Sequence, residues 1–190
     1  MQGIDQVISD SKIVLNENFT SQQLTQKLRQ YKPEILHLAT HARFGYDSKQ
    51  TYLISGEQKK NNRKIQKYNK TITLGNLYQI IQNTKNDDNE VLELLTLTGC
   101  QTAVGSQRDA LGIAGVSLQA GARSSVASLW NIDDEATASI IVQFYDNLRQ
   151  GMSKAQALQA TQKKWLAENS QGRYAHPGYW APFVLVGNWL

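Results

Sequence analysis

Two residues of this sequence, His41 and Cys100, could do chemistry as a pair. Each stands where an apolar run gives way to small polar residues. The first run is Leu36-His37-Leu38-Ala39-Thr40-His41-Ala42-Arg43-Phe44 and the second is Leu94-Leu95-Thr96-Leu97-Thr98-Gly99-Cys100-Gln101-Thr102-Ala103. A thiol with a pKa near 8.5 is only about 3% thiolate at pH 7. A neighbouring imidazole can accept the thiol proton, stabilise the thiolate and later protonate a leaving amine. The main-chain N–H groups of Ala42 and Cys100 are the candidates for stabilising a tetrahedral oxyanion. Composition alone leaves this open, because a lone cysteine in an apolar strand is more often a core residue than a nucleophile.

Such a pair has to be delivered by strands that lie side by side. In open α/β sheets, sites form outside the carboxyl ends of the strands. The pattern gives a strand over Glu34–Ala39 and a central strand over Val91–Leu97 that ends at Thr98-Gly99-Cys100. Shorter strands are expected at Lys12–Leu15, Thr51–Ile54, Ser124–Trp130 and Pro182–Val186. Helices are expected after the capping pattern Thr20-Ser21-Gln22-Gln23, over Leu74–Gln82, and over Leu111–Gln119 up to Gly121. A further helix follows Asp133, with Ala136, Ile140, Ile141, Phe144, Tyr145 and Leu148 on its buried side. The last is capped by Ser153-Lys154-Ala155-Gln156 and runs to about Ala167. Strands alternating with helices predict an α/β fold with a mostly parallel sheet. No internal repeat or domain boundary interrupts residues 1–190, so one domain is expected.

Composition removes other classes. The 190 residues carry 20 Lys+Arg against 16 Asp+Glu, a net charge of +4, with 41% hydrophobic residues. That describes a globular chain rather than a disordered one. Cys100 is the only cysteine, so neither a disulfide scaffold nor a four-cysteine metal centre can be built within the chain. No apolar stretch approaches the ~20 residues of a membrane helix, and the N-terminus does not read as a signal peptide. A cytoplasmic location without membrane contact is the expectation. No Gly-rich phosphate loop occurs. The polar insertion from Gly56 to Lys70 carries Lys59, Lys60, Arg63, Lys64, Lys67 and Lys70, but Tyr68 is its sole aromatic. It reads as a solvated loop, and nucleic acid is disfavoured as a partner.

The motif His37-Leu38-Ala39-Thr40-His41-Ala42-Arg43-Phe44 resembles the histidine motif of the CHAT domain, a caspase-like domain often found with tetratricopeptide repeats in bacteria. Thr98-Gly99-Cys100-Gln101-Thr102-Ala103 resembles that family's cysteine motif. Three further blocks fit in the family's order: Gly121-Ala122-Arg123, Ser128 to Thr137, and His176 to Phe183. The resemblance spans about residues 12 to 188. It implies a caspase-like three-layer α/β/α fold and membership of the caspase, separase and gingipain group of cysteine peptidases. It further implies His41 as acid/base, Cys100 as nucleophile, and no metal or cofactor. Asp134 falls where the similar separase motif places an acidic residue lining the S1 pocket, which would favour Arg or Lys before the cut. Asp133 or Asp134 serves equally well as a helix N-cap. Trp130, just ahead of this pair, is a candidate wall of the substrate groove.

Two positions depart from the family pattern. Ala42 stands where Gly often follows the histidine, so its amide can serve only at negative φ. Gly99 stands where Ala is common. Family members also usually carry another strand and helix before the segment that begins here. The resemblance therefore implies an N-terminally truncated domain whose sheet lacks its N-terminal strand.

The function expected from these features is a cysteine endopeptidase acting on protein or peptide substrates, with a tetratricopeptide-repeat or other regulatory protein as a second partner. The alternative is a catalytically silent, caspase-like interaction and signalling module. His37 is read as a core residue or support of the dyad, with the turn before His41 breaking the strand's phase. His176 is read as structural.

Overall fold

Leucines on both sides of the strand backbone, as in Leu94-Leu95-Thr96-Leu97, can be buried only in a sheet covered on its two faces. The computed structural model has that arrangement. It describes residues 3–8, 10–43, 51–56, 70–83, 91–100, 115, 117–130 and 133–190. Most of the basic insertion and much of the helix expected over Leu111–Gln119 lie outside the described residues. So do motif residues Phe44, Gln101 to Ala103, Asn131 and Ile132.

Six strands form one sheet: β1 Ile35–Arg43, β2 Tyr52–Ser55, β3 Lys70–Thr73, β4 Leu92–Cys100, β5 Ala122–Ser128 and β6 Phe183–Gly187. Their order is β3-β2-β1-β4-β5-β6. The centre, β1-β4-β5, is parallel. The outer pairings, β1–β2, β2–β3 and β5–β6, are antiparallel. The helices are α1 Ile4–Val7, α2 Ser21–Tyr31, α3 Leu74–Gln82, α4 Asp134–Arg149, α5 Lys154–Glu168 and α6 Pro177–Trp180.

The period of two along β4 feeds two separate cores. Leu95 and Leu97 join Leu36 and Leu38 of β1, packed under α2 and α3 through Leu24, Leu28, Leu77 and Ile81. Leu94 faces the other way and joins Val126, Ile140, Phe144 and Tyr145 under α4 and α5. Each such side chain contributes roughly 1.5–3 kcal/mol of burial. The result is the three-layer α/β/α sandwich of a caspase-like fold.

Local signals set the helix starts. Thr20 accepts a hydrogen bond from the Gln23 N–H at the head of α2. Ser153 and Gln156 complete a reciprocal capping box at α5. Helices α4 and α5 are joined by a buried polar contact: the Asn147 amide donates to the Ala157 carbonyl at 3.2 Å and to Thr161 Oγ1 at 3.0 Å. Gly121, at φ 91°, turns the chain into β5.

Three expectations change. Lys12–Leu15 is not a strand: residues 11–15 pair with no other strand. Positive-φ residues Asp10 and Asn16 bend the chain on either side, and Ile13 and Leu15 stay 44% and 48% exposed. Strand β3 was not foreseen, because Lys70-Thr71-Ile72-Thr73 is short and offers one buried apolar side chain, Ile72. Strand β1 continues through His41 to Arg43, so no turn interrupts it after Ala39.

The edge of β1 that faces β2 is mostly unpaired. Among the described residues, strand β2 meets it only at Ala42 and Arg43. Beside Ile35 to Leu38 lies instead a cleft of about 620 Å³, walled by Val14, Leu24, Leu28 and Tyr145.

Candidate active site

Parallel pairing places the C-terminal ends of β1 and β4 at the same edge of the sheet. The register runs Ile35↔Leu94 to Ala39↔Thr98 and then shifts, so that Ala42 pairs with Cys100. Strand β1 advances three residues where β4 advances two. That extra residue is a bulge, a feature that re-aims a side chain at a strand end. It falls at Thr40 and His41. The Thr40 hydroxyl donates to the Ile54 carbonyl of β2 at 2.7 Å, tying the bulged segment down on its other side.

His41 is exposed at this edge and lines a cleft of about 640 Å³. His37, Thr98, Asp134, Thr137 and Ile141 line the same cleft. His37 and His41 therefore reach one cavity from one strand. The turn expected between them is absent, since β1 stays extended, and the bulge at Thr40 and His41 takes its place in shifting the strand's register. The main chain of Cys100 is the partner of Ala42.

Ala42 is buried, and its φ is not positive: among the described residues, only Asp10, Asn16 and Lys32 are non-glycines with positive φ. Its Cβ is thus accommodated without strain, in the same core cluster as its β2 partner Leu53.

The acidic pair divides its duties. Asp133 accepts hydrogen bonds from the N–H groups of Glu135 and Ala136, both at 3.1 Å, and so caps α4. Asp134 begins the helix and is the acid that lines the cleft. The indole N–H of Trp130 donates to the Gly178 carbonyl at 2.9 Å, fastening the chain before α4 to α6. His176 accepts from the Gly178 N–H at 3.0 Å and caps α6.

Sequence reasoning gave His37 a supporting place without a partner. Its Nε2 lies 2.8 Å from the Thr98 hydroxyl. Burial lowers its pKa to about 4, so the ring is neutral at physiological pH. Its Nδ1 is buried without a hydrogen-bond partner, beside the ring of Tyr145. The two rings lie 5.7 Å apart. Among the described residues, no three His, Cys, Asp or Glu group as metal ligands would. No described helix is long and apolar enough to cross a membrane.

Comparison with known proteins adds one match. No curated protein matches the chain. The family model of the CHAT domain matches residues 2–188, nearly its whole length. With its ordered motifs and its caspase-like sheet, the chain belongs to the CHAT domain family.

Proposed function

We propose that this chain is a cysteine endopeptidase of protein or peptide substrates, with Cys100 as nucleophile and His41 as acid/base. The observation that carries the reading is the parallel Ala42↔Cys100 pairing, which brings the ends of the two motif strands together. His41 takes the thiol proton, and the Cys100 sulfur attacks the scissile carbonyl. The tetrahedral oxyanion is held by the N–H groups of Ala42 and Cys100. His41⁺ then protonates the leaving amine, leaving a thioester on Cys100. Water, deprotonated by His41, hydrolyses that thioester and restores the free thiol. No metal or cofactor takes part.

Asp134, on the same cleft as His41, is the proposed partner of a basic side chain before the cut. Asp133 supports it by capping the helix that begins with it. Trp130 supports it by holding the preceding segment. A tetratricopeptide-repeat or other regulatory protein, and a cytoplasmic setting, complete the proposal.

The test is digestion of a mixed-sequence peptide library, read by mass spectrometry, beside Cys100→Ala and His41→Ala controls. Cuts that vanish in both variants support the peptidase. Equal cutting by Cys100→Ala removes it, and no cutting by any form favours a silent interaction module.

A further inference from the structure

We infer that His37 and Thr98 form a positioning pair that holds the histidine strand and the cysteine strand in the register the dyad needs. The inference rests on the reading of His41 and Cys100 as that dyad. It deepens that reading by naming what aligns the two groups.

The geometry is specific. By main-chain pairing, His37 stands opposite Thr96, yet its Nε2 reaches Thr98, one step nearer the sheet edge. This diagonal contact spans β1 and β4 just before the register shift between Ala39 and Ala42. Thr98 lies two residues before Cys100, and His37 four before His41, so each end of the contact is a short, extended lever on one member of the dyad. Where a bulge relaxes the main-chain ladder, relative strand position is set by side chains. Among the described residues, the side-chain hydrogen bond between β1 and β4 at this point is the one between His37 and Thr98.

The choice of histidine points the same way. The position is half-buried against the Tyr145 ring, and a leucine there would leave the buried Thr98 hydroxyl without this partner. Histidine leaves Nδ1 without a partner, a cost that packing alone does not repay. Its lowered pKa keeps the ring uncharged, so the pair is a neutral hydrogen bond that does not switch near pH 7. Neither residue touches the reacting atoms in this scheme. Both act through the strands that carry them.

Cys100 is the sole cysteine, so alkylation with iodoacetamide reads its thiolate directly, independent of any substrate. Labelling rates across pH are measured for the parent, Thr98→Val and Thr98→Ser, with kcat and KM on a peptide that the parent cleaves. Valine keeps the shape and removes the hydroxyl, and serine keeps the hydroxyl. The parent inflexion is expected well below 8.5. Thr98→Val is expected to move it back by about one pH unit and to lower kcat about tenfold with KM little changed, as small misplacements of reacting groups do. Thr98→Ser is expected to restore both. Thr98→Val with the parent's inflexion and kcat, whatever its melting temperature, overturns the positioning role and leaves the dyad standing. A parent inflexion near 8.5 overturns dyad and positioning together. His37→Gln, which keeps one polar end, is the second variant, and it is expected to behave as Thr98→Val does.

Discussion

Asp133 and Asp134 are neighbours in sequence with separable jobs. Asp133 spends its carboxylate on two helix N–H groups. Asp133→Ala is expected to lower stability by about 1 kcal/mol, measured by urea unfolding. Asp134 faces the cleft. Asp134→Asn is expected to cut kcat/KM for substrates with Arg or Lys before the cut by about 10- to 100-fold while sparing neutral ones. Equal losses on both substrate types would remove Asp134 from the specificity pocket. His37 gives a pH signature. Its folded pKa, about 4, lies below the ordinary 6.5, so between those values the unfolded chain holds more protons. The stability it contributes is complete above pH 6.5 and is lost as pH falls towards 4. The slope between pH 6 and 5 is expected to be on the order of 1 kcal/mol per pH unit, and to disappear in His37→Gln.

At the scale of elements, legibility followed the strength of the local pattern. Helix α4 was readable because its sixteen residues place Ile140, Ile141, Phe144 and Tyr145 on one stripe under an Asp cap. The capping box of α5 was equally plain. Strand β3 was not, since four residues with one buried apolar side chain carry little period-two signal. Lys12–Leu15 misled for the opposite reason: its composition suits a strand, but strandedness requires a neighbour, which no local pattern encodes. The end of β1 was misread because Thr40, His41 and Arg43 look like turn residues, whereas they are the polar end of an extended strand. For the proposed site, the motifs single out His41, Cys100 and Asp134 as candidates, while the His37–Thr98 contact depends on a cross-strand register that only the fold supplies. The α4–α5 contact was likewise hidden. Asn147→Ala deprives Thr161 and the Ala157 carbonyl of a buried donor. It is expected to cost about 1–3 kcal/mol, read as a lower urea midpoint at unchanged slope.

For the molecule as a whole, the parallel centre and antiparallel flanks explain why the proposed site gathers at one edge. Strands β1 and β4 both deliver their C-terminal ends there, and α4 begins beside them with Asp134. The mild charge of +4 gives no comparable focus. The long unpaired margin of β1 has its own consequence. The Glu34 carbonyl accepts from the Glu93 and Leu94 N–H groups, so the main chain of even-numbered residues turns towards β4. The amides of Ile35, His37 and Ala39 then point into the neighbouring cleft. In deuterated buffer, β1 should behave as a comb with alternate teeth missing: Leu36 and Leu38 retain their protons long after Ile35, His37 and Ala39 have exchanged. Uniform retention along the strand would mean that something already lies in the cleft. A residue-resolved exchange spectrum would thus record, amide by amide, whether the sheet is open or filled along this side.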